Sequence, residues 1–176
     1  MLRVTQSGAA ERRTAGRPEA TSHAGIEQAA FRLFVERGFD ETTLDAIADE
    51  VGVSRRTLFR YYASKNDIPW GQFDQTLDHF RVLLDAQPEE LPLWEAVHRA
   101  VRAFNEFPTD AEPPHVERMR LILHTPALQS HSVLRYADWR RVIEEYVARR
   151  LDLAADDPLP RLVGHVSLAQ IGRAHV

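Results

Sequence analysis

Hydrophobic residues recur along this chain every three or four positions, and no stretch alternates with a period of two. That pattern predicts helices throughout and no sheet. Ile26, Ala29, Ala30, Leu33 and Phe34 give an apolar face to a helix over residues 22–37, with Gly38 to end it and Phe39 to pack beneath. Leu44, Ile47, Ala48 and Val51 mark a second, shorter helix. A third runs from Ser54 toward Lys65. A fourth starts after Ser64, with Asp67 in its first turn, Phe73, Leu77, Phe80 and Leu84 along one side, and Pro88 at its end. Leu93, Trp94, Val97, Val101 and Phe104 form the next face, and Pro108, Pro113 and Pro114 break the chain into a loop. A short helix over residues 115–124 stops at Thr125-Pro126. A long one over residues 126–151 carries Leu134, Trp139, Val142, Ile143, Tyr146 and Val147. After Asp156-Asp157-Pro158 a last helix begins near Leu159. The expected fold class is all-α.

Residues 42–65, TTLDAIADEVGVSRRTLFRYYASK, carry the sharpest local signal. Thr42 is placed to cap the second helix, with Asp45 three residues on as a weak capping-box partner. Gly52 follows the apolar run directly and tolerates the left-handed backbone that ends a helix. Val53 points back into the small core, and Ser54 caps the third helix through the amides near Thr57. Leu58 and Tyr62 face the core. Between Ser54 and Lys65 lie four cations, Arg55, Arg56, Arg60 and Lys65, and no acid. Two short helices joined by a tight turn, the second basic and aromatic, make a helix-turn-helix. In that geometry the start of the second helix enters the major groove, where Arg55 and Arg56 can make bidentate bonds to guanine. Thr57 can bond a phosphate or meet a thymine methyl. Tyr61 and Lys65 sit at the far end, suited to phosphates. The competing reading is an amphipathic hairpin with a solvated basic face; the agreement of caps, glycine and acid-free cations disfavours it.

The formal net charge of −4 at first argues against a nucleic-acid partner, but its distribution does not. Residues 1–65 hold 10 basic and 9 acidic side chains, the remainder 12 and 17. Residues 1–20 are polar, without helical period, and carry Arg12, Arg13 and Arg17; they read as a disordered basic arm that either reaches DNA or is a solvated tail. There is no cysteine and no apolar run of membrane-spanning length, so a cytoplasmic location is expected. Eight His invite a metal. Glu95 and His98 have di-iron spacing, but such a site needs that motif twice plus two more carboxylates. No phosphate loop or nucleophile elbow is present. The expectation is no cofactor, no metal and no enzyme.

The stretch AAFRLFVERGFDETTLDAIADEVGVSRRTLFRYYASKND closely resembles the DNA-binding domain of the TetR family of transcriptional regulators. GRPEATSH, NDIPWGQFD, RMRLILHTPALQ and HSVLRYADWR resemble one branch of that family, the regulators of the mycofactocin system, and this likeness extends over residues 16–170. The resemblance implies a DNA-binding domain over residues 21–66 and a helical effector-binding and dimerisation domain over residues 67–170. It implies base or backbone contacts at Arg55, Arg56 and Thr57 and phosphate contacts at Thr43, Tyr61 and Lys65, without settling which arginine reads a base. It implies repression of an operator in double-stranded DNA, a small-molecule effector and a homodimer of the full-length product. Candidates for the effector lining are Trp94, Val97, Val101, Phe104, Met119, Leu123, Trp139 and Tyr146, each of which could equally be core. The branch is associated with long-chain acyl-CoA, whose phosphates would need cations; Arg118, Arg120, Arg135, Arg140 and Arg141 are available, mostly as solvated surface. An effector acts only by binding one of two body conformations better than the other. The rival class is a helical small-molecule or lipid carrier of the same fold without operator binding.

Residues 171–176, IGRAHV, are polar where the last helix should stay apolar, and they match one reading frame of a common sequencing adapter. They are expected to be a non-native tail on a truncated chain. Related regulators dimerise through their last two long helices, so residues 1–176 are expected to dimerise poorly.

Overall fold

The computed structural model describes residues 21–108, 110–154 and 156–174, with residues 170–174 described through their backbone alone. The expected arm over residues 1–20 lies outside the described residues. So do residues 175 and 176 of the expected tail; residues 171–174 continue the last helix.

The described elements are α1 (His23–Arg37), α2 (Leu44–Glu50), α3 (Arg55–Leu58), a 3-10 helix (Lys65–Trp70), α4 (Phe73–Asp85), α5 (Leu93–Phe104), α6 (His115–His124), α7 (Pro126–Leu151) and α8 (Pro158–Ala174). No strand occurs among the described residues. The sequence places α6 and α7 to the residue, because prolines stand at or beside their starts and cannot continue a preceding helix, and the apolar face expected from Leu93 to Phe104 falls on α5.

Two expectations change. The third helix is one α-turn, not a run to Lys65. After Leu58 the bonds tighten to i→i+3, Arg60 N to Thr57 O at 3.1 Å and Tyr61 N to Leu58 O at 3.0 Å, and the helix unwinds. The fourth helix does not start at Ser64. Pro69 lies inside the 3-10 segment and supplies no amide, and Gly71 takes φ 60°, ψ −144°, a backbone open to glycine alone. The chain therefore bends once before α4 begins at Phe73.

Two cores form. The first gathers Ile26, Ala30, Leu33 and Phe34 of α1, Phe39, Ile47 and Ala48, Leu58 and Tyr62, and Ile68. It also takes Ile122 from α6 and Leu128 from α7, so head and body share it. The second packs Leu77, Phe80 and Leu84 of α4 on Val97, Ala100 and Val101 of α5 and on Trp139, Val142, Ile143, Tyr146 and Val147 of α7. Phe80 and Trp139 stack with centroids 5.2 Å apart. Helix α7 thus runs through both cores. Leu134, expected on its apolar face, is 65% exposed; its neighbour Arg135 turns inward instead.

Candidate nucleic-acid interface

The head is built by capping. Ser22 accepts from Gly25 N at 3.1 Å to open α1. Thr43, not Thr42, caps α2, accepting from Ala46 N at 3.1 Å. Thr42 is fully buried instead. Its hydroxyl lies 2.7 Å from the Gly38 carbonyl, just past the end of α1, and 3.2 Å from that of Leu33 in its last turns. Gly52 takes φ 70°, and Val53 N closes the turn on Ala48 O at 2.9 Å. Ser54 accepts from Thr57 N at 3.1 Å, and the two hydroxyls lie 2.9 Å apart.

This frame presents one cationic end. Arg55 lies 3.1 Å from the Asp45 carboxylate and 5.5 Å over the Phe59 ring, with over half its side chain exposed. Arg56 and Arg60 are exposed, and their side chains have no ion pair or hydrogen bond among the described residues. Thr57 is half-buried under the cap, and Thr43 is exposed. Phe59, which sequence reasoning passed over, is 44% exposed beside Arg55. Its signal was positional: a ring four residues from Arg55 must share that face.

Tyr61 and Lys65 are engaged internally. Tyr61 donates to Thr21 O at 2.6 Å and meets His23 edge-on. Lys65 Nζ lies 2.7 Å from Phe39 O, 2.9 Å from Thr42 O and 3.3 Å from Asp40 O, and 4.4 Å over the Phe39 ring. An ammonium has three protons, and three carbonyls receive them.

Beneath the interface two carboxylates are held by arginines of the body. Glu27, 8% exposed, accepts from Tyr62 Oη at 2.7 Å and from Arg118 at 2.6 Å, while Arg118 also donates to Pro69 O at 2.7 Å. Burial, then the bond to Glu27, pushes the Tyr62 phenol far above its ordinary range. Asp67 accepts from Ser64 at 2.8 Å and Arg135 at 2.6 Å, with His131 Nε2 3.0 Å away. Burial favours the protonated Asp67, but the bonds from Ser64 and Arg135 and the nearby Arg135 and His131 outweigh it, leaving the pKa below the ordinary carboxylate value. Arg118 and Arg135 are therefore not the solvated surface expected of them.

The expected effector lining divides. Trp94, Val97 and Val101 border an apolar groove of about 690 Å³ between α5 and α8, together with Leu93, His98, Leu162, Val163, Val166 and Ser167. Trp94 is 70% exposed at its lip. Phe104, Trp139 and Tyr146 belong to the second core behind Val97 and Val101. Met119 packs instead on the first core, and Leu123 lies 38% exposed. No described helix is long and apolar enough to cross a membrane.

With this geometry in view, the relatives are informative. Residues 26–68 match the family described as bacterial regulatory proteins, tetR family, and residues 91–175 match the MftR C-terminal domain. The chain is 43% identical over 153 residues to a provisional mycofactocin biosynthesis transcriptional regulator, MftR, of Mycobacterium tuberculosis, covering 87% of this chain and 77% of that one. It is 31% identical over 152 residues to the HTH-type transcriptional regulator TcmR of Streptomyces glaucescens, covering 82% of this chain and 66% of the relative. Among solved structures, SmeT in complex with triclosan has the same fold, with a TM-score of 0.54 and 20% identity over 86% of this chain and 79% of SmeT. The helix-turn-helix, the helical body and these relationships agree: the chain belongs to the TetR family of DNA-binding transcriptional regulators, a family without enzymatic activity.

Proposed function

We propose that this chain reads an operator upstream of mycofactocin biosynthesis genes, represses them, and is released by a long-chain acyl-CoA. The observation that carries the DNA-reading part is the cationic end of the head. Arg55, Arg56 and Thr57 are presented there from a doubly capped turn, and Arg56 is held by no acid among the described residues. We assign Arg55, Arg56 and Thr57 toward bases and Thr43 toward a phosphate, with Arg60 and Phe59 added at the margin. Tyr61 and Lys65 are assigned to the phosphate track as well, each already holding the head from within. The likeness to MftR supports the choice of genes, and the apolar α5–α8 groove suits an acyl chain.

One helix-turn-helix reads half a site, and successive major grooves lie ~34 Å apart. The second head belongs to a partner copy in a homodimer.

The test is titration of the protein onto duplex from its own upstream region at rising salt, with and without palmitoyl-CoA. Contacts to about six phosphates weaken binding roughly a thousandfold between 50 and 200 mM salt. Salt-independent or sequence-blind binding would sink the operator reading and favour a helical carrier. Operator binding indifferent to palmitoyl-CoA would remove the effector assignment alone.

A further inference from the structure

The recognition helix is a single turn, so its own length cannot fix its direction. The residues just beyond it do. Tyr61, Tyr62, Ser64 and Lys65 are each anchored, and the anchors sort into two kinds. Tyr61 bonds Thr21, and Lys65 bonds Phe39, Asp40 and Thr42, all within the head. Tyr62 bonds Glu27, whose other oxygen lies 2.6 Å from Arg118 of α6. Ser64 bonds one oxygen of Asp67, whose other oxygen lies 2.6 Å from Arg135 of α7. Each of these last two anchors is a three-member chain: a hydroxyl just past the recognition helix, a carboxylate (buried for Glu27, half-buried for Asp67), and an arginine of a body helix.

We propose that Tyr62 and Ser64 are positioning residues, which set the angle of the recognition helix against the body through the Glu27–Arg118 and Asp67–Arg135 pairs. Two links on different body helices define a direction where one would leave a pivot. Both carboxylates use one oxygen toward the head and the other toward the body, so each transmits displacement either way. Among the described residues, these two pairs, with His131 of α7 3.0 Å from the same Asp67 oxygen as Arg135, are the ionisable side-chain connections between the head and helices α6 and α7. The bend at Gly71 lets the first pair form. A Cβ there would stand 3.2 Å from both Glu27 oxygens and 3.4 Å from the Arg118 guanidinium. A movement of α6 or α7, such as an effector would impose, thereby reaches the recognition helix through these two links. Neither hydroxyl needs to touch DNA for this role; Tyr62 is only 4% exposed.

This inference rests on the operator reading above, and its test separates the two. Tyr62→Phe and Ser64→Ala each remove one hydroxyl and leave both ion pairs in place, so the fold is retained. The full chain carrying either, both, or Arg118→Lys is titrated onto its operator and onto a random duplex of equal length, with thermal melting alongside. Each single hydroxyl change is expected to weaken operator binding about five- to tenfold, the scale of one hydrogen bond. The double variant should lose more, while random-duplex affinity and its salt dependence stay as in the native chain, because no phosphate contact is removed. Arg118→Lys should weaken operator binding in the same direction, although it lies on the body. A folded double variant that holds its operator like the native chain would overturn the proposal. Equal loss on both duplexes would also overturn it, by showing damage to the contacts rather than to their placement. If the native chain itself prefers no operator, the operator reading fails first, whatever the variants do.

Discussion

Replacing Lys65 with methionine separates two roles that this lysine could have. Methionine keeps the length and apolar stem but removes the ammonium, leaving the carbonyls of Phe39, Asp40 and Thr42 without their shared donor. Two of these bonds are partly buried and the third is exposed. Hydrogen bonds to a charged group are worth about 1.5–3 kcal/mol each when well shielded. Counting the two partly buried ones near the lower limit, and the exposed one as nothing, gives a loss of roughly 2–3 kcal/mol. For a chain of this size each kcal/mol moves the melting midpoint by about 2–4 °C, so a fall of roughly 5–10 °C is expected. Circular dichroism melting measures it directly. The slope of log affinity against log salt, measured on the same variant, reports any phosphate contact, because losing one lowers its magnitude by about one. An unchanged midpoint with a reduced slope would refute the internal role and make Lys65 a phosphate ligand only. A reduced midpoint with an unchanged slope would confine it to the head.

Phe59→Ala should weaken DNA binding with little change in melting, because the ring is already 44% exposed; a large midpoint drop would mean that it belongs to the core. Gly71→Ala should destabilise clearly more than Gly52→Ala. Both glycines have positive φ, but a Cβ at Gly52 meets nothing within 4 Å while one at Gly71 presses on Glu27 and Arg118; denaturant midpoints rank them, and equal losses would count against the crowding. Asp67 has its folded pKa depressed, so its contribution to stability is whole at neutral pH and is lost as pH falls below about 4 and through the folded value. Asp67→Asn should therefore be less stable than the native chain at pH 7, with the gap closing in acid; a gap of constant size from pH 7 to pH 3 would refute the assignment.

The helix-turn-helix was legible because its signals are local. A glycine at φ 70°, a serine three residues before the amide that it caps, and four apolar residues at helical spacing all act within one or two turns. The starts of α6 and α7 were legible because proline acts on its own backbone. What local signals could not supply is choice between neighbours and pairing at a distance. Thr42 and Thr43 both carry a capping hydroxyl, and only the docking of α2 on α1 decides which one turns inward. Glu27 and Arg118 stand 91 positions apart, so nothing in either neighbourhood distinguishes them from solvated charges. Lys65 and Tyr61 carried the right chemistry for phosphate, and their internal partners depend on the fold. The effector lining was least legible, because apolar residues on facing helices look alike whether they close a core or border a groove; Val97 and Val101 do both.

The sharing of the first core between head and body bears on how such a protein could be recombined. A cut after residue 66 would strip Ile122 and Leu128 from the first core, where each is almost wholly enclosed, and would cut Glu27 off from Arg118. The DNA-reading segment is therefore not a cartridge to be moved between bodies at the boundary that its motif suggests. A hybrid that borrows this head must bring α6 and the first turn of α7 with it, or supply side chains of the same volume and a cation at the same point. The natural unit of exchange is set by the buried seam and not by the motif.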